Sequence, residues 1–210
     1  MKTSIKTLFA AVLSLGLGIT APSFASAKEN QKVTILSQVK NFNKLNVAGN
    51  VEVILVQSAN QSVQVYDNYY ANNALVQEKN GELRISSFNK ETLTVVVYAS
   101  QLNEINVSDN ATVKTSGKFN TLSLAVNLKD EAKATLNTNT VDLSANVVDR
   151  AALNLTGNTS DYNATIGTIA AINMNNFTSE NSNIQSKNMG VAKQQVSNNQ
   201  LPENDVLTIF

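Results

Sequence analysis

Cysteine, histidine and tryptophan are absent from this 210-residue chain, and each absence closes off a chemistry. Without Cys there is no disulfide framework, no thiolate nucleophile, no thiolate zinc site and no lipoprotein thioether anchor. Without His there is no Ser-His-Asp triad, no HExxH metal helix and no imidazole proton shuttle. Proline occurs only as Pro22 and Pro202, and arginine only as Arg84 and Arg150. The 16 Lys plus Arg are balanced by 16 Asp plus Glu, so no basic surface is available to grip nucleic acid. Charged residues make up 15% of the chain, against about 25% in ordinary soluble domains. Asparagine takes their place, with 31 residues. Val, Ile and Leu remain plentiful, and a chain that is polar without being charged suits stacked β-structure better than disorder.

Residues 1–27 read as a cleaved signal peptide. Lys2 and Lys6 give a positive start, Leu8 to Ile19 an apolar run, and Ala25-Ser26-Ala27 a small-residue cleavage site. The run is too short for an ordinary membrane span. The expectation is an exported protein, periplasmic or at the cell surface, with no membrane span in its mature chain. Removing two lysines leaves 14 positive against 16 negative residues, a net charge of −2. Stability then rests on packing and backbone pairing alone, and residues 28–210 are long enough to supply it as one domain.

Apolar residues recur with period-2 spacing through Phe42–Val47, Val51–Leu55, Val63–Val65, Leu83–Ile85 and Leu93–Val97, mostly with polar residues between and Ile54 and Val96 as exceptions, the pattern of half-buried strands. Ala48-Gly49-Asn50, Ser58-Ala59-Asn60 and Asn80-Gly81-Glu82 supply the turns. Asn80-Gly81 between two apolar runs is the strongest hairpin signal. No 15-residue stretch keeps a helical period; Tyr69 to Gln77 comes nearest, with room for a short turn of helix.

From about residue 101 the alternation repeats. Leu122, Leu124, Val126 and Leu128 fall on Val141, Leu143, Ala145 and Val147 at an offset of 19. Ala132, Ala134 and Leu136 fall on Ala151, Leu153 and Leu155 at the same offset. One copy earlier the offset is 21, placing Ile105, Val107, Ala111 and Val113. One copy later 21 is expected again, giving Tyr162, Ala164, Ile166, Ile172 and Met174. Repeats of this length that cannot bury their own faces must stack. The fold class expected is all-β: a parallel β-helix or β-solenoid with two main sheets and rungs of about 19–21 residues. Each rung is expected to hold two strands and two short turns, with Ala132 and Ala151 where the sheets pinch together. Residues 28–100 form the N-terminal strands, 101–175 the regular rungs, and 176–210 a polar tail ending in the strand-like Val206–Phe210, a candidate cap.

The chain resembles the head GIN domain family, autotransporter-adhesin-like domains of secreted bacterial proteins. The resemblance rests on the block from Phe42 through Leu45, Val47, Gly49, Val51, Val53 and Leu55 to Gln57, then Ser62–Val65 and Gly81–Ile85, followed by the repeats. It covers about Val33 to Met174. It implies a β-helix resembling pectin lyases and an adhesive role, with no catalytic residues. The turns depart from the Gly-Ser-Gly pattern of that family, reading Lys129-Asp130-Glu131 and Val148-Asp149-Arg150.

Two columns carry the candidate chemistry. Asp109, Asp130 and Asp149 take the same turn in successive rungs; they are either ordinary turn residues bonded to backbone amides, or acids for calcium or for polysaccharide cleavage with Arg150. Asn106, Asn127 and Asn146 form an outward column, either a structural amide ladder or a face for sugar hydroxyls. Ser123, Asp142 and Asn163 flank that column and extend the polar face. Tyr66, Tyr69 and Tyr70 are aromatic residues for capping or for stacking on a partner. The expected function is a non-enzymatic, adhesin-like module that presents the Asn face to a surface glycan or protein, with no cofactor and no metal. Self-association is a further expectation. The competing reading is a degenerate β-helical lyase or hydrolase using Asp130, Asp149 and Arg150.

Overall fold

Period-2 alternation becomes strand at every described place that the pattern marks. The computed structural model describes residues 33–36, 38–39, 41–66 and 74–187, and among these all regular structure is β, with no helix. The expected signal peptide, Tyr69-Tyr70 and Val206–Phe210 lie outside the described residues.

Fourteen strands join one hydrogen-bonded sheet. The first seven are β1 (Val33–Leu36), β2 (Lys44–Gly49), β3 (Val51–Gln57), β4 (Ser62–Tyr66), β5 (Ala74–Lys79), β6 (Glu82–Ser87) and β7 (Leu93–Ala99). Next come β8 (Glu104–Val107), β9 (Thr112–Ser116), β10 (Phe119–Asn120) and β11 (Ser123–Leu128). Three long strands complete the sheet: β12 (Lys133–Val147), β13 (Ala152–Gly167) and β14 (Ala171–Lys187). Residues 74–77, at the edge of the candidate helical turn, belong to β5. Asn80-Gly81 forms the expected two-residue hairpin, with φ of 56° and 78° and Lys79 paired to Glu82.

One parallel ladder runs β6–β2–β8–β11 and on through the C-terminal halves of β12, β13 and β14. The other runs β7–β3–β9 and on through the N-terminal halves of the same three strands. Inward residues of both ladders belong to a single core, from Leu45 and Val53 to Leu143 and Leu155. The sheet therefore curls over its own inner face as an open half-barrel. Antiparallel strands finish one end, β5 on β6 and β4 then β1 on β7. At the other end β14 pairs only with β13 among the described residues.

The repeat at 19 is a true vertical register. Leu124 lies against Leu143, Val126 against Ala145 and Leu128 against Val147 in parallel pairing, and Ala134 and Leu136 lie against Leu153 and Leu155. The earlier offset of 21 also holds, since Ile105 pairs with Val126 and Val113 with Ala134. The later one does not. Leu143 meets Tyr162, Ala145 meets Ala164 and Leu153 meets Ile172, all at 19. A shift of two residues leaves every inward side chain inward, so alternation cannot separate 19 from 21. Turn length decides it. Val148–Ala151 and Gly167–Ala170 are both four-residue turns closed by a bond from the fourth N–H to the first carbonyl.

The second turn of each late rung is also missing. Strands β12, β13 and β14 pass the far corner without interruption, because ladder pairing continues through Asn137, Thr138, Asn139 and Thr140. Ala132 and Ala151 are fully buried just after the remaining turn, as the pinch requires. Each fully buried Leu or Val in these columns contributes about 1.5–3 kcal/mol.

Tyr162 tops the Leu124–Leu143 column, 1% exposed and edge-on to Phe177 at 5.5 Å between ring centres. Its hydroxyl has no hydrogen-bond partner, and burial pushes its pKa up to about 12. A free tyrosine titrates near pH 10. Between those values the unfolded chain gives up its proton first, so stability falls as pH rises. Tyr162→Phe is expected to raise neutral-pH stability by about 1 kcal/mol, since it removes an unsatisfied buried group. It should also shrink the alkaline loss. The remainder belongs to Tyr98, which burial also shifts upward. Urea midpoints near pH 8 and pH 11 check both.

Candidate functional site

The outward side of the first ladder is built of side chains in vertical columns. Alternation turns Leu124, Val126 and Leu128 inward, which leaves Ser123, Ala125 and Asn127 outside. Parallel register then stacks like on like. Asn46, Asn106, Asn127 and Asn146 form one column, continued by Thr165 and Gln185. Beside it stand Ala125, Ser144, Asn163 and Asn183, and beyond them Ser123, Asp142, Asp161 and Asn181. The six residues singled out from the sequence thus share one face, but in three columns. Asn163 stacks on Ser144, and Asp142 is met by Asp161, which the offset of 21 concealed.

The amide column is only partly a ladder. Asn127 Nδ2 donates to Asn106 Oδ1 at 2.9 Å, while Asn106 Nδ2 turns along its own strand to Glu104 Oε1 at 3.0 Å. Asn46 Nδ2 donates to Glu82 Oε1 at 3.0 Å. Asn181 Nδ2 reaches Asp161 Oδ1 at 2.9 Å. The side chains of Asn146, Ser144, Thr165, Ser123 and Asp142 make no hydrogen bond among the described residues and are open to solvent.

At the β6–β2–β8 end of the face the charges are paired. Lys44 pairs with Glu104 at 3.0 Å and Arg84 with Glu82 at 2.8 Å. The Arg84 hydrogen bond, then that of Asn46, holds the Glu82 carboxyl below its usual range. Asn106, then Lys44, does the same for Glu104. A carboxyl with a depressed folded pKa stabilises above its unfolded value, and that contribution is lost as pH falls through the folded one.

Two shallow depressions lie over the amide column. One, of about 350 Å³, is lined by Asn46, Asn106, Ser108, Asn127, Lys129, Asn146 and neighbouring backbone. The other, of about 250 Å³, is lined by Asn127, Ser144, Asn146, Asn163, Thr165, Asn183 and Gln185 with two alanines. Lys129 is the only charged group in either. Neither holds a carboxylate.

The turn acids are engaged elsewhere. Asp109, Asp130 and Asp149 all adopt left-handed backbone, with φ of 57°, 60° and 56°. Asp149 Oδ2 accepts the Asp130 N–H at 3.1 Å, Asp130 Oδ2 accepts the Asp109 N–H at 3.2 Å, and Asp109 Oδ2 accepts the Gly49 N–H at 2.9 Å. Each carboxylate thus staples its turn to the one before. Arg150 pairs with Glu131, not with either acid. Among the described residues no three ligating side chains gather at one point. Asp130→Ala loses both the staple and a residue tolerant of left-handed backbone, and is expected to cost about 2 kcal/mol. Asp130→Asn keeps both an acceptor and that tolerance, and should cost well under 1 kcal/mol. Denaturant titration separates the two.

The family described as "Putative auto-transporter adhesin, head GIN domain" matches residues 41–199. The chain belongs to the head GIN domain family. Solved structures similar in fold include one described as a putative adhesin from Parabacteroides distasonis, with a TM-score of 0.59, 14% identity, and 75% of this chain and 78% of that chain covered. Another, described as a putative adhesin from Parabacteroides merdae, gives 0.54 at 15% identity, covering 75% and 78%. A third, described as a putative lipid binding protein from Parabacteroides distasonis, gives 0.53 at 12% identity, covering 75% and 79%. At such identities the likeness is one of fold. No curated protein matches the sequence. No helix among the described residues of this head GIN domain is long and apolar enough to cross a membrane.

Sequence reasoning missed Asn46, Ser144, Asp161, Asn183 and Lys129 at this face. For Asp161 the signal was present, because 142 plus 19 gives 161 once the repeat is held constant. Tyr66 lies on β4, in the other ladder's extension, away from the amide face.

Proposed function

We propose that the chain is an exported, non-enzymatic β-solenoid whose amide face serves as an adhesin-like binding surface for a glycan or protein outside the cell. The observation that carries this reading is the pair of open depressions lined by amides and hydroxyls, with Asn146, Ser144 and Thr165 unengaged, rather than by converging acids. Catalytic clefts bring together titratable groups with perturbed pKa values. Here the acids proposed for a lyase or hydrolase are bound to backbone amides, and Arg150 is bound to Glu131. Membership of an adhesin-like family supports the same reading, as does the sequence pattern of a signal peptide.

A glycan array probed with the mature chain tests it, beside Asn127→Ala/Asn146→Ala as a paired control. Binding that the double variant loses is expected. Turnover of a polysaccharide that Asp130→Asn abolishes would sink the proposal and restore the enzyme reading.

A further inference from the structure

We infer that the ligand of the amide face is an extended, uncharged polysaccharide lying along the stacking direction, about one sugar per strand. The inference rests on the reading of this face as a binding surface. Three observations narrow the ligand class.

The first is continuity. The larger depression is lined from β2, β8, β11 and β12, the smaller from β11 to β14, and both include Asn127 and Asn146. Joined at that pair, they form one track crossing six successive strands. At roughly 4.8 Å per strand the track is about 24 Å long, room for about four or five hexoses in extended linkage. Equivalent groups recur at each step, so a polymer of equivalent units can meet the same contact repeatedly.

The second is charge. The outward positions of β11 to β14 on this ladder include Asp142 and Asp161, with Lys187 at the end of β14 as their one cation. Lys129, at the rim of the larger depression, lies 3.9 Å from the Asp130 carboxylate. An acidic polymer would meet two carboxylates along the track against a single cation at its edge. The third is hydrogen-bond chemistry. An Asn side chain offers two donors and an acceptor, and a Ser or Thr hydroxyl offers one donor and two acceptors. Sugar hydroxyls also donate and accept. Asn146, Ser144 and Thr165 have these capacities unspent.

The depressions are shallow and hold no aromatic ring, so each sugar gains little and affinity must accumulate along the chain. Isothermal titration of the full chain with neutral β-1,4-linked gluco- and chito-oligosaccharides, disaccharide to hexasaccharide, reads this directly. Affinity is expected to rise at least about tenfold from disaccharide to pentasaccharide, and to change little with added salt. Asn127→Ala/Asn146→Ala should weaken the pentasaccharide by about tenfold or more, while Lys114→Ala, on the other ladder, should not. Circular dichroism of each variant confirms that the fold is kept. Preference for polygalacturonate or heparin, an affinity independent of length, or no binding to any neutral oligomer overturns the inference. If the Asn pair still governs binding of some other ligand on the array, the face reading survives that failure. If the pair governs nothing, both fall.

Discussion

Leu143→Asp is expected to abolish cooperative folding. Leu143 is 1% exposed and is held between Leu124 and Tyr162 in successive strands. Truncating a buried leucine costs about 2–5 kcal/mol, and leaving a carboxylate unpaired among apolar side chains adds several more. Whole domains have only about 5–15 kcal/mol to lose. Ser144→Asp, one residue on, puts the same charge on the outer face and should shift stability by no more than about 0.5 kcal/mol. Thermal and urea unfolding followed by circular dichroism will show whether the two neighbours differ this sharply. If Leu143→Asp melts like the parent, the vertical register of the core is wrong.

Gly157→Ala carries the second large effect. Gly157 sits at the corner of β13 with φ of 100°, in register with Thr138 of the strand before. A Cβ there would lie 2.0 Å from the Thr138 carbonyl oxygen and 3.1 Å from Asn137 Oδ1. Neither the backbone conformation nor the space admits it, so the ladder must part at the corner, at a cost of about 3 kcal/mol or more. Gly117 provides the comparison. Its φ is 83°, yet nothing lies within 4 Å of where a methyl group would sit. Gly117→Ala should cost only the left-handed conformation, about 1 kcal/mol after the stiffening of the unfolded chain is set against it. Equal melting temperatures for the two variants would mean that close approach of the strands at this corner contributes nothing.

The strands were legible because one face of each is buried and the other is wet. Leu83 and Ile85 against Glu82, Arg84 and Ser86 is enough to place β6 and its inner face. Register was legible only to within two residues, for the same reason, and the turn lengths that settle it carry no hydrophobic signal. That is why Asn163 was grouped with Asp142 while Asp161, its true neighbour, went unnoticed. The far corner was illegible for a different reason. In Asn137-Thr138-Asn139-Thr140 both faces are polar, so nothing in the pattern tells that Thr138 and Thr140 point inward. There Thr140 Oγ1 donates to Thr159 Oγ1 at 2.8 Å, and Thr159 bonds in turn to the Val141 carbonyl at 2.9 Å. A polar contact thus continues inside a corner that the sequence presents as loop. The Asn column was legible as a column but not as a binding track, since which amides are already spent depends on side-chain geometry such as the turn of Asn106 toward Glu104.

The parallel ladders also set how such a molecule bears load. Backbone bonds between successive strands run nearly along the stacking direction, from β2 through β8, β11, β12 and β13 to β14. Tension applied along that direction should peel the end strand away bond by bond at low force. Tension applied along the strands must shear a whole row of bonds at once, as the long pairing of β12 with β13 would require. A tether through residues at the two ends of one late strand should therefore rupture at far higher force than one running from β6 to β14. A surface protein of this build would be toughest when anchored at its side.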